Sequence, residues 1–513
     1  MPTLIHALRE SARFYPDRPA IIAGATALDH RRFGELSDRV AAGLAARGVA
    51  PGERVALYCP NSPEFALAYA GIVKAGATVV PINLLINVEE IAYILGDAGV
   101  KALVYHAALA PTVERVLETG FKPDLGVLIG GAAAGAVAWE DLLAGDGPVP
   151  EPELDPADAV AAILYTSGTT GFPKGAMLTH GNLYANTQSV REAMHWRPGE
   201  DRVLVVLPMF HAFAATVGML TPLTNGCAFV PLPRFEPEAV AEAIAAQAVT
   251  VFLGVPSMYG VLLRLRDERV PCFRTLRFCV SGGAALPVEV LRRFEAKFGV
   301  NIYEGDGPTE CSPVTCVNPI GGLAKPGTVG LPIPGVEMRI VDDMGNELPR
   351  GLVGEIAVRG ANVMKGYWNR PEETREVMRD GWLLTGDLGT CDEDGYFSIV
   401  DRKKDLIIVN GMNVYPRMIE EVLHRYPGLR EAAVVGELNE LHGEVPVAYV
   451  AVDGADGETQ AGLRAFCREH LGRHQVPKRF ELVEALPRNA AGKILKRQLR
   501  KHGEVERGVK DLD

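Results

Sequence analysis

The chain has 513 residues, 48% of them hydrophobic and 23% charged, and a formal net charge of −12. That length exceeds one ordinary core and predicts roughly three structural units, while the acidic balance excludes nucleic acid as the main partner, which needs a broad basic face. Eight scattered cysteines with no CxxC pair, no apolar stretch of a secretion signal near the N-terminus and no uncharged run long enough to span a bilayer predict a cytoplasmic protein with reduced thiols and no membrane span.

The first clear element is a strand at Arg54–Tyr58, followed at Asn61–Glu64 by a helix start with a capping residue, a proline in the first turn and an early acid. A second apolar run, Val160 to Leu164, leads into the sequence LYTSGTTGFPKG. Apolar runs at Val203–Leu207, Ala228–Pro231, Val249–Val255 and Leu276–Ser281 then alternate with helical stretches such as Pro237–Gln247 and Pro287–Phe298. This alternation predicts an α/β fold with parallel-rich sheets covered by helices. Ligands of such sheets bind beyond the carboxyl ends of the strands, so the loops after Leu164, Leu207, Val255, Ser281 and Tyr303 are the places to look. Near residue 325 the texture turns rich in Gly, Pro and Val with short alternating runs, Val336–Val341 and Gly354–Arg359, which predicts a small β subdomain over about 325–400. A charged break at Asp401–Asp405 precedes a compact α+β unit. The expected division is a large N-terminal domain, 1–403, and a small C-terminal domain, 404–513.

Five stretches carry chemistry. In the first, hydroxyls at Thr166, Ser167, Thr169 and Thr170 alternate with Gly168, Gly171 and Gly175, and Lys174 follows Pro173. Glycines let backbone N–H groups converge on an anion, hydroxyls add donors and the lysine adds charge, so this loop suits polyphosphate. It is not a Walker A loop, whose lysine is followed by Ser or Thr and opens a helix. The second, Tyr303 to Pro313, offers Thr309 and Glu310, and a carboxylate beside polyphosphate is the expected Mg²⁺ holder. Thr385–Gly386–Asp387 reads as an acid on a tight turn, able to accept from both hydroxyls of a ribose. Asp401–Arg402 precedes the loop Gly411 to Arg417, and taken alone reads as a solvated ion pair. Lys493 stands on a small-residue turn before a helix at Ile494–Lys501; alone, it could belong to a basic helix face with Arg488, Lys496, Arg497, Arg500 and Lys501.

In their order and spacing, and with Asn61–Asn83, LPMFH at 207–211 and GGAALP at 282–287, these stretches resemble the adenylate-forming superfamily of acyl-CoA synthetases, adenylation domains and luciferases, and specifically the acyl-CoA synthetase branch. The resemblance covers nearly the whole chain. It implies that a carboxylic acid and ATP form an acyl adenylate with release of pyrophosphate, and that the acyl group then passes to a thiol. It implies that the loop Thr166, Ser167, Gly168, Thr169, Thr170 and Lys174 holds the β- and γ-phosphates, and that Glu310 holds Mg²⁺ with Thr166. Thr309 would touch the α-phosphate. Gly283, Ala284 and Ala285 with Glu304, Gly305 and Asp306 would line the adenine slot. Asp387 would bind the ribose with Arg402 nearby, and Lys493 would bridge the carboxylate and the α-phosphate. Lys404 matches a hinge about which a mobile C-terminal domain turns, withdrawing Lys493 and bringing the loop of Gly411 and Asn413 to the site, where a pantetheine channel opens.

The family's adenine-stacking aromatic is replaced here by Asp306, with Tyr303 as the candidate substitute. His211 resembles the family's gate to the acyl pocket, with a packed core histidine as the alternative. The wall Pro208–Gly218 is small and apolar, and no Lys or Arg occurs between Arg202 and Arg234. That argues against a second substrate carboxylate and for a medium- or long-chain fatty acid, an aryl acid being the runner-up. CoA is favoured as acceptor because no carrier attachment domain follows Lys493. An acyl-adenylate ligase serving a carrier protein, and a non-catalytic nucleotide-binding sensor, are the other readings. A fatty substrate is compatible with peripheral membrane contact; the sequence leaves monomer and homodimer both open.

Overall fold

The computed structural model describes residues 1–145, 147–166, 173–439, 441–488 and 494–505, without the side chains of 501–505. Among the described residues, one eight-stranded sheet runs in the order Gly366–Tyr367, Lys174–Thr179, Val160–Thr166, Thr78–Pro81, Arg54–Tyr58, Val100–His106, Leu125–Ile129, Val137–Ala138. It is parallel from Val160–Thr166 onward, and its first three strands pair antiparallel. A nine-stranded sheet has a parallel centre of Ile302–Asp306, Phe278–Ser281, Val251–Gly254, Arg202–Val205, Ala228–Pro231 and Pro19–Ala23. The fully buried patterns of Thr78–Pro81, Ala228–Pro231 and Val251–Gly254 are those of parallel strands covered on both faces.

Helix Pro63–Lys74 shows why the pieces assemble. Ser62 caps it by accepting from Phe65 N–H, with Pro63 in the first turn, and every residue from Phe65 to Lys74 is buried. A helix apolar all round must lie inside the protein. The one charge among those buried residues, Lys74, is held by Asp38 at 2.8 Å, the Ser37 hydroxyl and the Gly34 carbonyl. Beyond the strand Arg54–Tyr58, Asn61 ties the two sheets together. Its side-chain amide donates to the carbonyls of Leu207 and Leu232 and its oxygen accepts from Met209 N–H at 2.7 Å.

The β subdomain is an antiparallel sheet of Val336–Val341, Gly354–Gly360, Trp382–Cys391, Met378–Arg379 and Phe397–Arg402. Two local readings change here. Thr385–Gly386–Asp387 lies within the strand Trp382–Cys391 rather than on a tight turn, and Gly386, at φ 75°, supplies an irregularity instead. Asp401 and Arg402 do not pair with each other as a solvated couple: Asp401 is buried, and Arg402 pairs with Asp387 at 3.1 Å. The C-terminal part has a sheet of Met412–Val414, Ile407–Val409, Gly443–Val452, Leu429–Asn439 and Arg479–Leu482, with helices Pro416–Leu423 and Thr459–His470. Its last helix, Lys496–Val505, begins two residues later than the sequence suggests. No helix among the described residues is long and apolar enough to cross a membrane.

Candidate active site

The stretch read as a polyphosphate loop joins an antiparallel pair in which Thr166 stands opposite Lys174. Ser167, Gly168, Thr169 and Thr170 lie outside the described residues. Gly175 is required by crowding: a Cβ there would sit 2.6 Å from Ile163 Cγ2 and 3.1 Å from the Tyr165 ring. Lys174 projects over the ring of Tyr367, its Nζ 5.4 Å from the centroid.

The same Tyr367 reaches the second motif. Its hydroxyl donates to Glu310 Oε1 at 2.7 Å, and Glu310's backbone carbonyl accepts from Met364 N–H at 2.7 Å. Thr309–Cys311 form a short 3₁₀ turn. Gly307 is forced just before it, since a Cβ would fall 1.6 Å from the Pro313 carbonyl oxygen. The loop lysine and the carboxylate, which follow strands of different sheets, therefore share one side chain. Glu310 Oε2 accepts no hydrogen bond among the described residues, which leaves a hard oxygen donor of the type Mg²⁺ takes alongside phosphate oxygens. Among the described residues the Thr166 hydroxyl makes only a 3.5 Å contact with the Lys174 carbonyl, so it too can turn to such an ion.

Asp387 stands opposite Arg402 in antiparallel register, mostly buried, while the arginine is half-exposed. Below the two lies Asp401, whose carboxylate accepts backbone N–H groups from Arg402 at 2.8 Å and Arg417 at 2.9 Å. Burial pushes Asp401's carboxyl above its ordinary range, and Lys496 pulls it back. The Arg417 guanidinium also donates to the Ile399 carbonyl. Arg417 is thus where the segment after residue 403 grips the part before it.

Gly283 has φ 78° and its turn with Ala284 and Ala285 is open to solvent. Glu304, register partner of Ser281, is 3% exposed. One of its oxygens accepts from Leu286 N–H at 2.9 Å and the other has no partner among the described residues. Burial pushes this carboxyl up to about 7, with the positive charge of Arg417 working against the rise.

A family profile described as AMP-binding enzyme matches residues 8–368, and a second, AMP-binding enzyme C-terminal domain, matches 418–493. The chain belongs to the AMP-binding enzyme family. It is 37% identical to a long-chain-fatty-acid–CoA ligase of Bacillus subtilis over 97% of this chain and 94% of that one. It is 38% identical to a feruloyl-CoA synthase of an Amycolatopsis species, over 96% and 97%. Among solved structures, ATP-bound MatB from Rhodopseudomonas palustris superposes with a TM-score of 0.88 at 34% identity, covering 97% of this chain and 98% of that one.

Within this AMP-binding fold several sequence expectations meet the structure unevenly. Tyr303 does not substitute for an adenine-stacking ring: it is buried edge-on to Phe278, and its hydroxyl accepts from Gly321 N–H at 3.0 Å. Asp306 ends its strand half-buried, its carbonyl accepting from Thr315 N–H and hydroxyl. Gly305 approaches the Cys316 carbonyl too closely for a side chain. His211 is half-buried, three residues before Ala214–Leu220, which winds as a fully buried π-helix. There Gly218 packs on Val205, 2.9 Å from where a Cβ would point, and Phe213 lies on Gly282. Lys404, on the 3₁₀ turn Lys403–Asp405, and Gly411 and Asn413 on the next hairpin are exposed. Lys493 lies outside the described residues. Sequence reading overlooked Tyr367 and the bridging role of Asn61, because each acts on residues far along the chain; the aromatic pair Tyr367–Trp368 after Gly366 is the visible trace of the first.

Proposed function

We propose that the chain is an AMP-forming acid–CoA ligase that activates a carboxylic acid with ATP as acyl-AMP, releases pyrophosphate and passes the acyl group to CoA. The observation that carries this is that Lys174 and Glu310 both contact Tyr367, a cation and a hard carboxylate oxygen on one side chain, as a common triphosphate site needs. Transfer between two anions needs charge neutralised on phosphoryl oxygens and little covalent help from the protein. Mg²⁺, held by Glu310 and Thr166, supplies part of that neutralisation when bound. Lys174 and the hydroxyl loop hold the β- and γ-phosphates, Thr309 the α-phosphate, Asp387 the ribose with Arg402, and the Gly283–Ala285 turn with Glu304 the adenine. Lys493 bridges the incoming carboxylate and the α-phosphate as a flexible point charge. Residues 404–513 turn about Lys404 between the half-reactions, and Arg417 must release Asp401 and Ile399 as they do. The eight free cysteines, six of them buried, fit a reducing cytoplasm.

The acid is a medium- or long-chain fatty acid. Support comes from the uncharged wall of small and apolar residues before the π-helix, and from the fatty-acid ligase likeness. An aryl acid is the second reading, favoured by the equal likeness to a feruloyl-CoA synthase. Pyrophosphate release with ATP and Mg²⁺, over a panel from acetate through palmitate to benzoate and ferulate, with and without CoA, tests both. Turnover that needs CoA and peaks on long alkyl acids is the expected result. A peak on aryl acids selects the second reading, and no release on any acid refutes the ligase.

A further inference from the structure

Between the β subdomain and the eight-stranded sheet, the segment Met364–Arg370 crosses the base of the phosphate loop and touches it on both sides. On the outgoing side, Trp368 N–H donates to the Gly175 carbonyl at 2.7 Å, Lys365 N–H to Met177, and Tyr367 pairs in register with Ala176. On the incoming side, the Tyr165 hydroxyl donates to Asp97 Oδ2 at 2.6 Å, and Asp97 is in turn held by Arg370 at 3.3 Å and, through its carbonyl, by the Trp368 ring N–H at 3.0 Å. Its third anchor is Glu310, through Met364 N–H and the Tyr367 hydroxyl. Gly366, at φ 144° with Thr374 filling the space of a Cβ, lets the strap turn there, and Thr374 accepts from Tyr367 N–H at 2.9 Å.

We infer that Tyr367 is a positioning residue that sets the spacing between the protein's phosphate-binding cation, Lys174, and its metal-binding carboxylate, Glu310; this rests on the MgATP site proposed above. Its two ends do different work. The hydroxyl occupies one carboxylate oxygen and so orients the other toward the ion, as partners behind metal ligands commonly do. The ring face steers the Lys174 ammonium.

The two ends separate experimentally. Tyr367→Phe keeps the ring and removes the donor; Tyr367→Leu removes both. ATP binding by calorimetry, with a Mg²⁺ titration and with EDTA, reads the two roles without turnover. For Tyr367→Phe the half-saturating Mg²⁺ concentration should rise about tenfold, the lower end of the effect of removing a metal ligand's supporting hydrogen bond, while metal-free ATP binding stays unchanged. Tyr367→Leu should weaken metal-free binding as well. In a Glu310→Gln background, Tyr367→Phe should change the Mg²⁺ dependence no further. Equal weakening with and without Mg²⁺, or an unchanged Mg²⁺ dependence for Tyr367→Phe, would overturn the assignment. Failure of the unaltered protein to bind ATP would instead overturn the site beneath it, and the inference with it.

Discussion

Replacing Glu304 with Gln isolates one buried charge. Among the described residues the carboxyl has one donor, Leu286 N–H, and an oxygen with no partner, in a site 3% exposed. Its folded value lies at about 7 against an ordinary 4.5. Below about 4.5 both folded and unfolded chains carry the proton, and the group costs nothing. As pH rises from there to about 7 the unfolded chain ionises first, so stability falls, and above about 7 the loss is complete. The gap corresponds to about 3 kcal/mol. Gln has nearly the shape of the protonated acid and does not ionise. The variant should therefore match the unaltered protein near pH 4.5 and exceed its stability by about 3 kcal/mol at pH 8. Urea unfolding followed by tryptophan fluorescence at a series of pH values measures the difference. A difference that stays constant with pH would refute the reasoning. Arg417 opposes the rise, so Arg417→Ala should move the step to higher pH in the unaltered protein and have no such effect in the Glu304→Gln background.

Three further outcomes are expected. Gly307→Ala would place a Cβ 1.6 Å from the Pro313 carbonyl oxygen, a backbone clash that should cost more than about 2 kcal/mol; an unchanged unfolding midpoint would count against the tight turn. Lys493→Ala should slow acyl-adenylate formation by at least ~10²-fold, the scale of losing one preorganised electrostatic group, and near-normal pyrophosphate release would remove the lysine from that role. Lys404→Pro should spare pyrophosphate exchange and impair thioester formation, because hinges absorb backbone change away from the chemistry; equal loss of both would place the hinge elsewhere.

Motifs whose meaning is local were legible without coordinates. Ser62, Pro63 and Glu64 announce a helix start because capping acts within one turn, and Ala228–Pro231 announces a buried strand because its burial follows from an unbroken apolar run. Readings that depended on a neighbour from elsewhere fared worse. Asp401 and Arg402 are adjacent in sequence, yet the strand points them to different partners, Arg417 and Asp387. Tyr303 looked available for a base, but the strand Ile302–Asp306 is buried over its first three residues and sets the Tyr303 ring edge-on to Phe278.

By itself the sequence determined the family and the α/β alternation, since both reside in short-range spacing and residue type. The tertiary structure alone decided which side chains share a site. Tyr367 meets Glu310 across 57 positions, and Asn61 meets Leu207 across 146. Such meetings arise when two sheets pack through a common core, and side-chain patterns of period two or 3.6 hold no record of what lies on the far side of that core.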